Sequence, residues 1–286
     1  MPFQSKPNIS FLDKSFQEGL THSYILSVYI DSHTVSCAVF HETQNKYLGL
    51  ICYHSKTGSS VESLLKQVYD DHTWLGAEFK SVHVIVSNSF HTLMPLPLFD
   101  EMKMESYLTF NQKILADSDI RYDQLKHTQA ANIYAVPENL DVLLRHYWPS
   151  SRIFHSSTVL SESLVINFKN VMDDKIVYVN VNDDCFDLLN FKQSKLNFNN
   201  SFGYKTKEDF IYFLLAALEQ LELNPEEVEV VLIGAIDKND VLHEMIFKYI
   251  RHSSFIARNN TMKYAYVFDD LNYHHHYIVL NALLCG

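Results

Sequence analysis

Three groups of residues in this sequence combine reactive side chains at close spacing. Asp31-Ser32-His33-Thr34 ends an apolar run with a carboxylate, hydroxyls and an imidazole. The stretch Asn180-Val181-Asn182-Asp183-Asp184-Cys185-Phe186-Asp187 gathers three carboxylates and a thiol, and Tyr273-His274-His275-His276-Tyr277 sets three imidazoles side by side. Carboxylates that converge on divalent metals support hydrolytic chemistry. Asp183 and Asp237, each after an apolar run of the C-terminal half, make a metal-dependent hydrolase one reading. In the N-terminal half, Asp31 has no such partner, because the apolar run 81–87 ends in Ser87-Asn88. Successive residues diverge around a helix, so the three histidines cannot all ligate one ion there, although a turn would allow two; no metal is assigned to them. They are expected to form the polar start of a helix that continues into Tyr277-Ile278-Val279-Leu280. No GxSxG elbow supports a Ser/His/Asp hydrolase. Cys37, Cys52, Cys185 and Cys285 include no close CxxC pair, which fits reduced thiols rather than a disulfide frame or a zinc site.

Composition narrows the classes. The chain has 286 residues, 47% of them hydrophobic and 20% charged, enough for one large domain or two of ordinary size. A net charge of −11 with no Lys/Arg-rich run argues against a nucleic-acid partner, which needs a basic face. The N-terminus lacks a signal-peptide pattern, and no apolar run reaches the roughly 18 residues of a membrane span. The expected location is the cytoplasm. Only seven glycines occur, at 19, 49, 58, 76, 203, 234 and 286, so any glycine-rich phosphate loop must be found among them.

The elements that must position these residues follow from periodicity. After a polar lead-in over 1–20, the runs 23–30, 34–41 and 46–54 are rich in Val, Ile, Tyr and Phe with hairpin-length gaps, which predicts an antiparallel meander. Val61, Leu64, Leu65 and Val68 have helical spacing over 59–72, with Ser59 or Ser60 as the cap. A buried strand is expected at 81–87, then an extended Pro-punctuated piece and a helix. Met94-Pro95-Leu96-Pro97-Leu98 reads as an irregular strand packed on the core rather than a recognition edge. Two strand–helix units follow, over 131–148 and 151–168. The second half repeats the programme. Strands are expected at 175–182, 185–193 and 195–202, then a helix over 206–223 opened by a Thr206/Asp209 capping box. A strand at 228–235, a helix at 240–252, a strand at 253–259 and a final helix near 274–284 complete it. A period this long signals two copies of one structural unit.

On this element order, the chain resembles the actin, sugar-kinase and chaperone ATPase superfamily over residues 22–286, most closely its bacterial pilus-assembly and division branches. It also looks like an uncharacterised bacterial family with the actin-like fold. The resemblance implies an α/β protein of duplicated ribonuclease H-like lobes, the actin-like ATPase fold, with a mixed five-stranded sheet in each. The lobes would span 1–168 and 169–286, the last helix packing back on the first.

It also implies where a nucleotide would sit: in an interlobe cleft lined by the turns around Asp31, Asp183 and Gly234. Members of the superfamily place an Asp, an apolar residue and a Gly, then Ser or Thr, between the first two strands, since the backbone must approach phosphate without a Cβ. Here Ser32 takes the Gly position before Thr34. Asp31 falls one residue late if residues 38–40 anchor the register, and Cys37 stands where a Lys or Gln would touch phosphate. The second-lobe pattern, Asp-apolar-Gly-Gly-Gly-Thr-Thr-Asp, aligns with Asn180 to Asp187. Only Asp187 matches, and Asn182, Asp183 and Asp184 replace the glycines. Each added carboxylate opposes a phosphate charge by roughly 1 kcal/mol in water and roughly 4 kcal/mol near a protein surface. The adenosine turn keeps one glycine, Gly234, followed by the bulky Ile236. These departures imply a pseudo-ATPase without cofactor that binds a protein partner or itself. A divergent Mg-ATP-binding ATPase or kinase is the second reading and the metal-dependent hydrolase the third.

Overall fold

The computed structural model describes residues 7–55, 60–110 and 117–285. The chain divides into two compact units. The first comprises 1–163, 260–271 and 278–286, and the second 164–259 and 272–277.

The first unit is built on the expected meander. Its sheet contains β1 (Ile9–Leu12), β2 (Tyr24–Ile30), β3 (Thr34–His41) and β4 (Lys46–His54). Helix α1 (Val61–Asp71) leads to β5 (Ser81–Val86), which lies parallel to β2. Further along, β9 (Arg152–His155) is parallel to β5, giving the order β1-β4-β3-β2-β5-β9. The five expected strands are there, extended by β1 and by a short strand at 263–264 that also pairs with β4. The lead-in is therefore not featureless: Ile9 and Phe11 alternate inward along β4. Gly49 permits that approach, because a Cβ on it would meet the Leu12 side chain at 2.7 Å.

Leu26, Val28 and Ile30 face α1, where Leu64, Leu65 and Val68 bury the predicted stripe. Ser60 caps α1 by accepting from the Ser63 amide, while Ser59 lies outside the described residues. Leu140, Leu144 and Trp148 close the same core, and the Trp148 indole N–H donates to the Leu75 carbonyl at 3.0 Å.

Between β5 and β9 the structure departs from expectation. β6 (His91–Pro95), α2 (Met104–Thr109), β7 (Ser118–Leu125) and β8 (Ala130–Pro137) form an insertion, followed by α3 (Glu138–Tyr147) and α4 (Ser156–Phe168). β8 and α3 form the strand–helix unit expected over 131–148, but β8 is the centre of a separate antiparallel sheet ordered β6-β8-β7. Leu108, Ile133 and Ala135 form the core of this insertion, with Met94 packed against it. Pro95 ends the β6 pairing, Pro97 follows in a 3-10 turn, and Leu98 is exposed.

The second unit repeats the meander. β10 (Ile176–Val181), β11 (Cys185–Lys192) and β12 (Lys195–Gly203) precede α5 (Lys207–Gln220), β13 (Glu229–Gly234), α6 (Val241–Tyr249) and β14 (His252–Phe255). The sheet order β12-β11-β10-β13-β14 matches β4-β3-β2-β5-β9, with the same antiparallel and parallel pairings. Val177, Val179 and Val181 bury one face of β10 against Phe210, Leu214 and Leu218 of α5. The Thr206/Asp209 capping box is formed as the spacing predicts.

The expected terminal helix near 274–284 is not a helix. The segment consists of 3-10 turns at Tyr273–His276 and Ala282–Cys285 joined by further turns. The Leu280 carbonyl, which a helix would bond internally, instead accepts from the Tyr47 hydroxyl at 2.6 Å.

Candidate functional site

The β2–β3 turn in the first unit holds Asp31, Ser32 and Thr34. Asp31 Oδ1 accepts from the His33 amide at 2.8 Å and the Thr34 amide at 2.6 Å, while the Asp31 amide donates to the Thr34 carbonyl. The turn's own carboxylate thus takes up the His33 and Thr34 N–H groups. Ser32 is exposed, and Thr34 Oγ1 lies 3.2 Å from His54 Nδ1. Burial holds the Cys37 thiol far above its usual range, so the side chain is a neutral part of the core.

In the second unit, the β10–β11 turn brings Asn180, Asn182, Asp183, Asp184 and Asp187 together. Asp187 is buried opposite Asn180 in the β10–β11 register and opposite Ser201 in the β11–β12 register. One carboxylate oxygen accepts from Asn180 Nδ2 at 3.0 Å and the other from the Ser201 hydroxyl. The acid is therefore tied into a three-strand polar row. The Tyr204 hydroxyl donates to the Asn182 carbonyl at 2.6 Å, and the Tyr204 amide bonds the Asp184 carbonyl. Burial, with Cys185, Asp183 and Asp184 nearby, pushes the Tyr204 phenol up to about 12. Asp183 and Asp184 are exposed.

Gly234 ends β13 opposite Val181, with φ of +85°. A Cβ on it would stand 2.2 Å from the Val181 carbonyl oxygen and 2.9 Å from Asn180 Oδ1. The glycine is required by its contact with β10. Ile236, two residues on, is fully buried.

A second cluster lies after that turn. His275 Nε2 is 3.0 Å from Asp237 Oδ1, His274 Nε2 is 2.9 Å from the Ile236 carbonyl oxygen, and Asn272 Nδ2 donates to Asp237 Oδ1 at 3.2 Å. Among the described residues, Asp237, His274 and His275 form a group of potential metal ligands whose ligating atoms lie within 4.8 Å of one another, and Asp183 is not part of it. His276 is not part of the group and is buried, and burial with its two neighbouring histidines pushes its imidazole down to about 3.

A family model described as a protein of unknown function (DUF3822) matches residues 13–253. The chain belongs to this family. No curated protein matches it. Solved structures show the fold of this DUF3822 member. A Bacteroides thetaiotaomicron protein with an actin-like ATPase fold and unknown function aligns over 95% of this chain and 99% of that one, with 24% identity and a TM-score of 0.80. A PilM–PilN type IV pilus biogenesis complex aligns over 91% of this chain and 97% of that one, with 10% identity and a TM-score of 0.58. The actin-like ATPase fold expected from element order is thus the fold of this DUF3822 chain.

Sequence reasoning located the turns of the DUF3822 chain and allowed two of the histidines to act together in a turn, but it paired Asp237 with Asp183 and not with His274 and His275. A helix would have splayed the two imidazoles. In the 3-10 turn at Tyr273–His276 both face the chain that leaves β13. The signal available was the density of histidines beside a turn, without their geometry.

Proposed function

We propose that this chain is a non-catalytic, actin-like scaffold of the cytoplasm, a pseudo-ATPase that acts by binding a protein partner or a second copy of itself. One observation carries the reading: Asp31 occupies the amides of His33 and Thr34. A phosphate reaching that turn would have to displace a carboxylate that already makes two short, charge-assisted bonds, and would meet its negative charge as well. The second turn supports the reading independently. Its positions corresponding to glycines are held by Asn182 and two exposed carboxylates, and Gly234 is committed to packing against Val181. The PilM–PilN structure supports the class of function, since it is a protein of this fold in complex with another protein. Isothermal titration with Mg-ATP tests the proposal. The expected result is no binding heat up to millimolar nucleotide, and micromolar binding would overturn it in favour of a divergent ATPase.

A further inference from the structure

We infer that Asp237, His274 and His275 bind a divalent transition-metal ion of the zinc class, a site that stands apart from the nucleotide question. Two imidazole nitrogens and one carboxylate oxygen are the ligand types that zinc selects, in the number an open three-ligand site uses. The spacing agrees. With Zn–N bonds of about 2.0–2.1 Å and tetrahedral angles, ligand atoms stand roughly 3.3–3.4 Å apart. Asp237 Oδ1 is 3.0 Å from His275 Nε2 and 3.8 Å from His274 Nε2, two separations that bracket that value, and all three ligand atoms lie within 4.8 Å of one another.

The supporting groups hold two of the ligands in place. Asn272 Nδ2 bonds Asp237 Oδ1 at 3.2 Å, and the His274 ring packs against Phe255 with centroids 4.4 Å apart. Partners of this kind orient ligands and raise affinity. The Asp237 backbone is also fixed, its amide donating to Asp240 Oδ2 at 2.7 Å. The His274 side chain is 10% exposed, His275 28% and Asp237 49%, so solvent reaches the group from the Asp237 side.

In the metal-free arrangement each Nε2 carries its proton toward an oxygen, Ile236 O for His274 and Asp237 Oδ1 for His275. Binding moves each proton to Nδ1 of the same ring and frees both Nε2 lone pairs for the ion. The ion then replaces both Nε2–H hydrogen bonds, to Asp237 Oδ1 and to the Ile236 carbonyl, by coordinate bonds to the two Nε2 atoms and Asp237 Oδ1.

Zinc titration of tag-free protein tests this, in parallel with Asp237→Asn, His275→Gln and the double variant. The expected result is one zinc per chain, weakened about 10-fold or more by either single change and lost in the double variant, with metal-free thermal melts showing that each variant folds. Undiminished zinc binding by the folded double variant, or no stoichiometric uptake by the parent, overturns the proposal. Should the double variant not fold, the cobalt spectrum of the parent decides. An intense tetrahedral ligand-field band supports the site, and the weak octahedral spectrum of aquated cobalt overturns it.

Discussion

Replacing Gly234 by alanine forces a methyl toward the Val181 carbonyl at a backbone angle that L-residues avoid. The expected loss of stability is about 3 kcal/mol in urea denaturation, and a loss under about 1 kcal/mol would mean that the β10–β13 contact yields easily. A second residue-scale prediction concerns Asp123. It accepts from the Tyr134 hydroxyl, the His155 amide and the Thr158 hydroxyl, yet burial outweighs these donors and pushes its carboxyl up to about 6. Its folded value is above the unfolded one, so the folded state binds the proton more tightly. That contribution to stability is complete below pH 4 and is lost as pH rises through about 6. Compared with Asp123→Asn, the parent should lose roughly 2–3 kcal/mol of relative stability between pH 4 and pH 7. Denaturation at both pH values checks this, and a relative stability that stayed the same between them would show that the folded-state carboxylate is ionised throughout.

Helix α5 shows how directly local sequence can specify an element. Thr206 accepts from the Asp209 amide, and the Asp209 carboxylate accepts from the Thr206 amide, each at 3.1 Å. Thr206→Ala should therefore cost about 1 kcal/mol while Thr206→Ser costs little, as read from urea midpoints; equal losses would place the effect outside the cap. The meander strands were equally legible, because Val177, Val179 and Val181 state the period-two face that meets α5. Legibility failed where long-range contacts decide. Strand β7 carries Asp119, Arg121, Asp123 and Gln124, and only Asp123 and Leu125 are buried, so nothing in its composition announces a strand. It forms because β8 offers a partner along its whole length. The segment 277–284 has helical composition but loses its helix to i→i+3 bonds, Ile278 O with the Asn281 amide and Asn281 O with the Leu284 amide. The turns at Asp31 and Asp183 could be placed from strand boundaries alone. The bonds from Asp31 to its own turn, and the meeting of Asp237 with His275, depend on backbone geometry that residue types do not encode.

At the scale of the molecule, duplication made the fold readable: five strands of the first unit's sheet and the five of the second share one order although their turn sequences differ. The same comparison separates fold from activity, since a shared strand order fixes the sheets and not the chemistry of the turns between them. A net charge of −11 adds to this, opposing polyphosphates at long range until salt screens it within about 8 Å at physiological ionic strength. Ligand linkage turns these points into a global measurement. A nucleotide present at 100 times its Kd would add about 2.7 kcal/mol to stability, raising a thermal midpoint by about 5 °C for a chain of this size. Millimolar Mg-ATP, compared with Mg alone, should leave the midpoint within about 1 °C of its starting value. Lowering the salt should deepen the exclusion, because it lengthens the reach of the protein's own negative field. A midpoint that climbs with ATP, and climbs further at low salt, would mean that a metal-bridged phosphate turns the acidic turns into ligands.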